Sequence, residues 1–347
     1  MTRVTIAVLA DRLGISKASV SYALNNQPGV SEATRQRVLN LAEDLGWYPS
    51  FSARALSRNR SGVVGIVLSR DPETIGAEPY YMRLLAGIEK VLAGAEMSLM
   101  LRMVGSAPGR DLAVYERWAQ EGRVDGVMLF DQLRDDPRPG LLADLGLPYV
   151  IMGVSEKLSG VPGVSVDHSS EASTIVEHLH GLGHEWIAHI SGPLTFVHEE
   201  ARLAAVKKHA TRLGMTVLHL EGDYSLPAGA RLTGSLLNYP ASRATAVIYG
   251  NDLMAIGGIL AARDLRLHLP AGLAMVSWDD SILCRLASPP ITALARDPEK
   301  QGRDLALLLL RVLQAQGPYT PSGTASTLVV RGSTDPDVGT IPWQAEM

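Results

Sequence analysis

The sequence predicts a small all-α unit at the amino terminus, followed by a large α/β body with parallel, doubly wound sheets. Three observations predict this fold. Apolar residues recur at helical spacing in three short segments within the first 48 residues. From Gly62 onward, runs of Val, Ile and Leu alternate with helical patterns, which is typical of parallel strands covered by helices on both faces. The chain has 347 residues, which is long for one core and suits two or three domains.

The first two helices have the pattern of a helix-turn-helix unit. Leu9 and Leu13 lie on one helical face, Gly14 allows a tight turn, and Ser16 can cap a second helix whose apolar face includes Val20. The other face of this helix offers small hydrogen-bonding groups, a cation and a tyrosine hydroxyl, which suit the major groove of DNA. These residues are Ser16, Lys17, Ala18, Ser19, Ser21, Tyr22 and Asn25. The alternative is an ordinary helical hairpin.

A third helix and a short linker complete the amino-terminal unit. Ser31 can cap an amphipathic helix that ends at Gly46, so three helices can close a small core. Pro49 then ends the helical unit, and Ser50 could cap one more short helix. We therefore expect a helix-turn-helix domain over residues 1–48 and a hinge helix or linker over 49–61.

In combination, these motifs resemble the DNA-binding headpiece of the lactose-repressor (LacI/GalR) family of bacterial transcription regulators, and the resemblance covers nearly the whole chain. Its markers are Val20-Ser21, Ala23-Leu24-Asn25, Val30-Ser31, Thr34-Arg35, Val38, Gly46-Trp47-Tyr48-Pro49 and Ala53-Arg54-Ala55-Leu56. The resemblance implies that Lys17, Ala18 and Tyr22 read the groove. It implies that Leu56 is an apolar wedge that unstacks a base step in the minor groove. Position 22 is usually arginine in such proteins, so Tyr22 alters the expected guanine contact. The remaining expected DNA contacts are Thr5, Ser31 and Arg54.

The distribution of charge agrees with a DNA-binding amino terminus. The whole chain has a net charge of −4, but residues 1–60 carry eight Arg or Lys against four Asp or Glu, which leaves −8 for the remainder. A basic head on an acidic body directs phosphate contact to one end. A single cysteine, Cys284, excludes an internal disulfide and suits a reducing compartment. With no apolar signal core and no membrane-length apolar run, we expect a cytosolic protein that does not contact membranes.

The body is expected over residues 62–347, where the resemblance implies two lobes similar to those of periplasmic binding proteins. We expect an N-lobe at about 62–162 and 291–323, and a C-lobe at about 163–290 and 324–347, with Val161-Pro162-Gly163 and Pro289-Pro290 as crossovers. Small ligands bind at the carboxyl ends of parallel strands, so two facing lobes leave an effector cleft between them. The predicted strands begin at Val63, Ser98, Gly126, Tyr149, Ile187, Thr216, Ala246, Leu273 and Thr327.

Four motifs supply candidate ligand-binding residues. Asp279 follows an apolar strand, and its carboxylate could accept hydrogen bonds from two sugar hydroxyls. Asn251 matches the family's strand-to-helix turn, with Asp252 as the expected helix cap. Arg202 offers a fork of donors, and Tyr224 an aromatic wall for an apolar sugar face. Tyr80 and Tyr81, at the start of the first body helix, are candidates of the same kind. For each residue, the structural alternative is a cap, a surface ion pair or packing.

These observations predict a sequence-specific DNA-binding regulator, a repressor that forms a homodimer on operator DNA and responds to a small effector, most simply a sugar. The alternatives are a corepressor-dependent regulator of the purine or nucleobase type, and a plain sugar-binding protein. An enzyme is not expected: Asp279 and Asp280 are adjacent, so on a strand they point to opposite faces. The sequence also lacks the His-Glu-x-x-His, Gly-x-Ser-x-Gly, Walker and Cys-x-x-Cys motifs. No metal or cofactor is expected.

Overall fold

The computed structural model describes residues 4–47, 60–154, 160–239, 242–316 and 326–338. The chain divides into two compact units, residues 1–62 and 63–347. Most of the predicted hinge, including Arg54 and Leu56, lies outside the described residues. Among the helices of the described part, none is long and apolar enough to cross a membrane.

The first unit contains the three predicted helices: α1 (Ile6–Leu13), α2 (Lys17–Leu24) and α3 (Glu32–Asp44). Gly14 ends α1 in the left-handed conformation, with φ of 64°, and the side chain of Ser16 accepts a hydrogen bond from the amide of Ser19 at the start of α2. Leu9, Val20 and Val38 are fully buried between the helices. The helix-turn-helix prediction is therefore confirmed, and α2 has its apolar side in the core.

The N-lobe is built on a five-stranded parallel sheet with the order β2-β1-β3-β4-β5. Its strands are β1 (Val63–Leu68), β2 (Ser98–Met103), β3 (Gly126–Leu129), β4 (Tyr149–Met152) and β5 (Gly163–Val164). The helices between them are α4 (Pro72–Ala77), α5 (Pro79–Gly94), α6 (Arg110–Gln120) and α7 (Arg138–Asp144). One apolar core lies on each face of this sheet, as expected for buried parallel strands.

The C-lobe is built on a six-stranded sheet with the order β11-β10-β9-β8-β6-β7. Its strands are β6 (Trp186–Ser191), β7 (Thr216–Glu221), β8 (Ala246–Tyr249), β9 (Ala274–Ser277), β10 (Thr292–Ala295) and β11 (Thr327–Val329). Its helices are α8 (His168–Gly181), α9 (Val197–Arg212), α10 (Leu226–Asn238), α11 (Asp252–Asp264) and α12 (Ile282–Leu286). All neighbouring strands are parallel except β10 and β11, which are antiparallel.

A last helix, α13 (Pro298–Leu313), returns to the N-lobe and packs beside α5. The contact requires glycine, because a Cβ added at Gly302 would lie 2.1 Å from the carbonyl oxygen of Leu84. The C-lobe repeats this arrangement between α10 and α11, where a Cβ at Gly257 would lie 2.2 Å from the carbonyl oxygen of Leu226. Close backbone approach at glycine thus brings one helix pair together in each lobe.

Both crossovers between the lobes lie a few residues further along the chain than predicted, because an additional strand precedes each one. The strand β5 pairs with β4, so the chain leaves the N-lobe after Val164 rather than at Gly163. The strand β10 pairs with β9, so the chain returns to the N-lobe after Ala295 rather than at Pro290. Sequence patterns did not predict β5, which has only two residues, or β10, which begins two residues after Pro290, and strand pairing rather than proline determines where each lobe ends. They also did not predict the short helices α4, α7 and α12.

Candidate functional site

A cleft lies between the two lobes of the body, at the carboxyl ends of strands from both sheets. Its walls are mostly charged and aromatic side chains. The lining residues are Arg70, Glu78, Tyr80, Tyr81, Phe130, Asp131, Met152, Gly153, Val166, His168, His198, Arg202, Tyr224, Gly250, Asp279 and Arg296. The free volume among them is about 70 Å³. A dry cavity of about 150 Å³ holds a benzene molecule, so a sugar ring needs a wider arrangement of the lobes or side chains than this one.

On the C-lobe side, Arg202 is the central cation of the cleft. Its guanidinium donates to the Glu199 carboxylate at 2.6 Å and lies 4.9 Å from the centre of the Trp278 ring. Burial by itself would raise the pKa of Glu199, but Arg202 and the neighbouring groups lower it to about 2. The Nε of Arg202 has no hydrogen-bond partner among the described residues. The described residues therefore leave at least one N–H donor of this buried cation unused.

A second buried carboxylate supports this wall from behind. Glu171, in α8, accepts hydrogen bonds from the indole Nε1 of Trp278 at 3.0 Å and from His168 at 3.1 Å. Despite burial, which raises the pKa, His168 and the two arginines Arg296 and Arg202 lower the pKa of Glu171 to about 2. The carboxylate is thus ionised at neutral pH and holds Trp278 and His168 in place.

The two adjacent aspartates after β9 have different partners, as strand alternation predicts. Asp279 lines the cleft and forms a salt bridge with Arg296, whose side chain is 8% exposed. Asp280 is not among the lining residues and forms a 2.7 Å salt bridge with Arg331. The cap of the following helix, α12, is the side chain of Ser281 and not Asp280.

On the N-lobe side, Arg70 and Asp131 form a bidentate ion pair. The Nε and Nη2 atoms of Arg70 donate to the two carboxylate oxygens of Asp131 at 2.7 and 2.6 Å, and the hydroxyl of Tyr81 donates to the same carboxylate at 2.9 Å. Burial lowers the pKa of Arg70, but Asp131, Tyr81 and Glu78 raise it well above its ordinary value. Arg70 is therefore charged at any physiological pH.

Three rings of the C-lobe, Phe196, His198 and Tyr224, stack side by side and form what we call the aromatic cluster. The Phe196 and His198 rings are nearly parallel, with centroids 5.7 Å apart, and His198 Nε2 lies 2.8 Å from the Tyr224 hydroxyl. Tyr224 adopts a left-handed φ of 68°, and its ring covers Gly192, where a Cβ would lie only 2.0 Å from the ring. Tyr224 thus lines the cleft with its aromatic ring, and its predicted contact with a sugar stays a prediction.

The amide of Asn251 is used within the protein. Its Oδ1 accepts from the amide of Met254, so Asn251 caps α11 and the predicted cap, Asp252, does not. Its Nδ2 donates to the carbonyl of Tyr224 at 3.0 Å and to Glu78 at 3.4 Å. Asn251 is fully buried and is not among the lining residues. A direct ligand contact by Asn251 stays a prediction.

The structure brings Tyr80, Tyr81, Arg202, Tyr224 and Asp279 together in one cleft. Sequence reasoning missed the other charged or titratable residues there: Arg70, Glu78, Asp131, His168, His198 and Arg296. The rule that ligands bind at carboxyl ends of strands would have found two of them, since Arg70 follows β1 and Asp131 follows β3 by two residues. Pairing between these residues is not visible in the sequence.

In the first unit, the predicted DNA-binding residues surround α2. Thr5, Ser16, Lys17, Ala18, Tyr22, Asn25 and Ser31 are exposed, and Ser19 and Ser21 are half-buried. Ser16 and Ser31 are the caps of α2 and α3. Arg35, from α3, donates to the carbonyl oxygens of Ala23 at 3.2 Å and Gln27 at 3.1 Å, just where α2 ends. The expected groove-reading side chains therefore lie on a helix that is supported at both ends.

Comparison with known proteins agrees with both units. The model of the bacterial regulatory proteins of the lacI family matches residues 5–50, and that of the periplasmic binding protein-like domain matches residues 176–334. The HTH-type transcriptional regulator CelR of Thermobifida fusca is 31% identical over 318 residues, which cover 89% of this chain and 91% of CelR. The HTH-type transcriptional repressor CytR of Escherichia coli K12 is 28% identical over 347 residues, covering 96% of this chain and 97% of CytR.

Solved structures extend the comparison. The lac repressor dimer bound to operator and the anti-inducer ONPF matches with a TM-score of 0.84 at 26% identity, over 96% of this chain and 99% of that one. A complex of the transcriptional regulator CelR with cellobiose matches with a TM-score of 0.71 at 28% identity, over 95% of this chain and 100% of that one. The fold and the cleft define a DNA-binding transcription regulator with a periplasmic-binding-protein-like body. This chain belongs to the lacI family of bacterial regulatory proteins.

Proposed function

We propose that this chain is a transcriptional repressor whose affinity for operator DNA is controlled by a sugar that binds in the cleft between the lobes. The observation that carries the proposal is the composition of the cleft. Tyr80, Tyr81 and Tyr224 line the cleft with aromatic rings of the kind that pack on the apolar side of a sugar, and Arg202 and Asp279 add charged hydrogen-bonding groups for its hydroxyls. The solved complex of the relative CelR contains cellobiose, which supports a sugar as the ligand class.

The DNA side of the proposal rests on the exposed face of α2. Lys17, Ala18 and Tyr22 read base edges in the major groove, and Tyr22 replaces the arginine usual in the family with a neutral hydroxyl. Ser16 and Ser31 contribute hydroxyls and helix-terminal amides to phosphates, because each caps the start of a helix. In this proposal Leu56 wedges the centre of the operator. The protein acts in the cytosol as a regulator rather than as an enzyme.

We further propose that the body forms a homodimer through an apolar face of the C-lobe. Leu286 and Ile282, in the short helix α12, are 76% and 50% exposed, which is unusual for large apolar side chains. They lie beside a groove whose walls include Ile256, Leu260 and Pro289. An exposed apolar patch of this kind marks an interaction surface. The similar lac repressor structure is a dimer, which supports a second copy of this chain as the occupant.

The test begins with selection of binding sites from random duplex DNA, followed by fluorescence anisotropy titration of the selected sequence. We expect a near-palindrome that is bound about 10³-fold or more tightly than random DNA. The bound complex is then titrated with a panel that includes glucose, cellobiose, other mono- and disaccharides, and nucleobases. A sugar that changes operator affinity by roughly 5- to 150-fold supports the proposal. Enrichment of DNA only in the presence of a nucleobase would instead show a corepressor-dependent regulator, and no enrichment under any condition would leave a plain binding protein.

A further inference from the structure

We propose that Arg70 is the positioning residue that couples the two lobes, because it fastens the N-lobe to the aromatic cluster of the C-lobe across the cleft. The inference deepens the proposed function and depends on it for the regulatory consequence. Lobe orientation itself can be measured without DNA or effector, so the two proposals can fail separately.

The guanidinium of Arg70 is first fixed to its own lobe. Arg70 lies just after β1, and the bidentate pair with Asp131, which lies just after β3, holds the guanidinium plane in one orientation. The Tyr81 hydroxyl hydrogen-bonds the same carboxylate and completes this anchor. The charge therefore moves with the N-lobe as a rigid group.

The same guanidinium contacts the C-lobe through the aromatic cluster. Its central carbon lies 4.4 Å from the centroid of the Tyr224 ring and 4.9 Å from that of Phe196. Arg70 is 9% exposed and Tyr224 is 3% exposed, so water is excluded from this contact. Cation–π interactions of this kind are strongest where the cation is desolvated. The contact exists only while the lobes are together.

A second connection runs from Arg70 through Glu78. The Nη1 atom of Arg70 lies 3.5 Å from Glu78 Oε2, and Glu78 Oε1 accepts from the Nδ2 of Asn251 in the C-lobe at 3.4 Å. Asn251 also donates to the carbonyl of Tyr224, within the aromatic cluster. Arg70 thus reaches the C-lobe directly and through one intermediate carboxylate.

Two other contacts between the lobes differ in kind from that of Arg70. Leu133 and Phe196 form an antiparallel bridge, with a hydrogen bond of 2.9 Å from the Val197 amide to the Gln132 carbonyl. Those backbone bonds do not depend on a side chain. Arg134 forms a salt bridge with Glu200, but the two side chains are 57% and 50% exposed, and exposed pairs contribute little. Arg134 is therefore a matched control for Arg70.

Separation of the lobes must withdraw the Arg70 charge from the aromatic cluster while Asp131 keeps it in the N-lobe. Arg70 and Tyr224 also line the cleft, so a ligand there alters the same contact. Arg70 is thus placed where occupancy of the cleft and orientation of the lobes affect each other.

The test measures the distance between nitroxide labels on exposed helix positions of the two lobes, introduced as Glu116→Cys and Lys208→Cys. The native Cys284 is fully buried, and burial raises the pKa of its thiol to about 12, so it reacts slowly with the label. Pulsed electron–electron resonance then gives the distance distribution in the absence of DNA and effector. The same labelled protein carries Arg70→Ala, Arg70→Lys or Arg134→Ala, and circular dichroism checks that each variant is folded.

We expect Arg70→Ala to lower the ratio of closed to open lobes by about tenfold, consistent with loss of one desolvated cation–π contact. Arg70→Lys keeps the charge but not the planar fork, so we expect a smaller shift in the same direction. Millimolar guanidinium, but not methylammonium or sodium at equal ionic strength, should restore the closed population of Arg70→Ala. If Arg70→Ala does not fold, the change in the distance distribution of Arg70→Lys tests the proposal instead.

Distance distributions that are unchanged in both Arg70 variants would overturn the proposal. An equal shift in Arg134→Ala, or no recovery with guanidinium, would also overturn it, because Arg70 would then have no specific role. If the Arg70 variants shift the distances while no sugar alters operator binding of the wild-type protein, this inference stands and the proposed function fails.

Discussion

The salt bridge between Asp279 and Arg296 permits a prediction that separates ligand binding from folding. The substitution Asp279→Asn keeps the shape of the side chain but removes its negative charge. Arg296 then remains buried beside Arg202, and burial together with that neighbouring charge already lowers the pKa of Arg296. We expect Asp279→Asn to destabilise the body and to abolish its response to the effector.

The magnitude follows from the burial of the pair. The side chains of Arg296 and Asp279 are 8% and 14% exposed, so the salt bridge behaves as a buried one. Breaking such a pair by removing one partner costs about 3–5 kcal/mol, and the amide retains an acceptor oxygen, so we expect about 3 kcal/mol. The double variant Asp279→Asn, Arg296→Gln leaves no unpaired charge and should lose only about 1 kcal/mol.

Urea denaturation measures the stability of each variant, and anisotropy titration of the operator complex measures its effector response. The control is Asp280→Asn, which breaks the equally buried pair with Arg331 but changes a residue outside the cleft lining. It should cost a similar free energy of unfolding and keep the effector response. The reasoning is refuted if Asp279→Asn responds to effector as the wild type does, or if the double variant loses as much stability as Asp279→Asn alone.

Three further predictions concern other parts of the chain. His189 is fully buried without a hydrogen-bond partner among the described residues, and burial lowers its pKa to about 4. The pKa of His189 in the folded protein lies below its unfolded value of about 6.5, so the protein loses stability as the pH falls from about 6.5 towards 4. We expect His189→Phe to remove about 2 kcal/mol of this loss at pH 5. If the difference between the urea midpoints at pH 5 and pH 7.5 is the same in the variant as in the wild type, the prediction is wrong. Leu286→Arg should shift the protein to monomers in sedimentation equilibrium while Leu182→Arg, at an exposed leucine elsewhere in the C-lobe, does not. Arg35→Met removes charged hydrogen bonds at the end of α2 that contribute about 2 kcal/mol. We therefore expect faster hydrogen exchange of the α2 amides in the full-length protein. Unaltered exchange would show that Arg35 does not support the helix.

The dimer prediction also links the body to operator recognition. Two headpieces can engage two half-sites only if the bodies associate, so Leu286→Arg should weaken operator binding more than binding to random DNA. The Leu182→Arg control should bind both DNAs as the wild type does. Equal binding of the operator by a monomeric Leu286→Arg variant would remove the dimer from the proposed mechanism.

Local patterns in the sequence were sufficient for most of the architecture. Gly14, Ser16 and the apolar spacing of the first helices predict the helix-turn-helix unit, because turn, cap and amphipathic face each depend on residues close together in the chain. Apolar runs predict β1, β2, β4 and β8, and each of these strands begins at the predicted residue. The strands β5 and β10 were not predicted, since their pairing with β4 and β9 is a property of the sheet rather than of their own residues.

By itself, the sequence determined the family, most of the strands and helices, and the positions of Asp279 and Tyr224 after strands and of Arg202 near the start of a helix. Only the tertiary structure decided which charges meet. It paired Arg70 with Asp131, gave Asp279 and Asp280 separate arginine partners, and made Asn251 a helix cap that links Glu78 to Tyr224. The physical reason is range: helical periodicity and capping act over a few residues, whereas these buried ion pairs join groups that are further apart in the sequence and meet only when the lobes are packed.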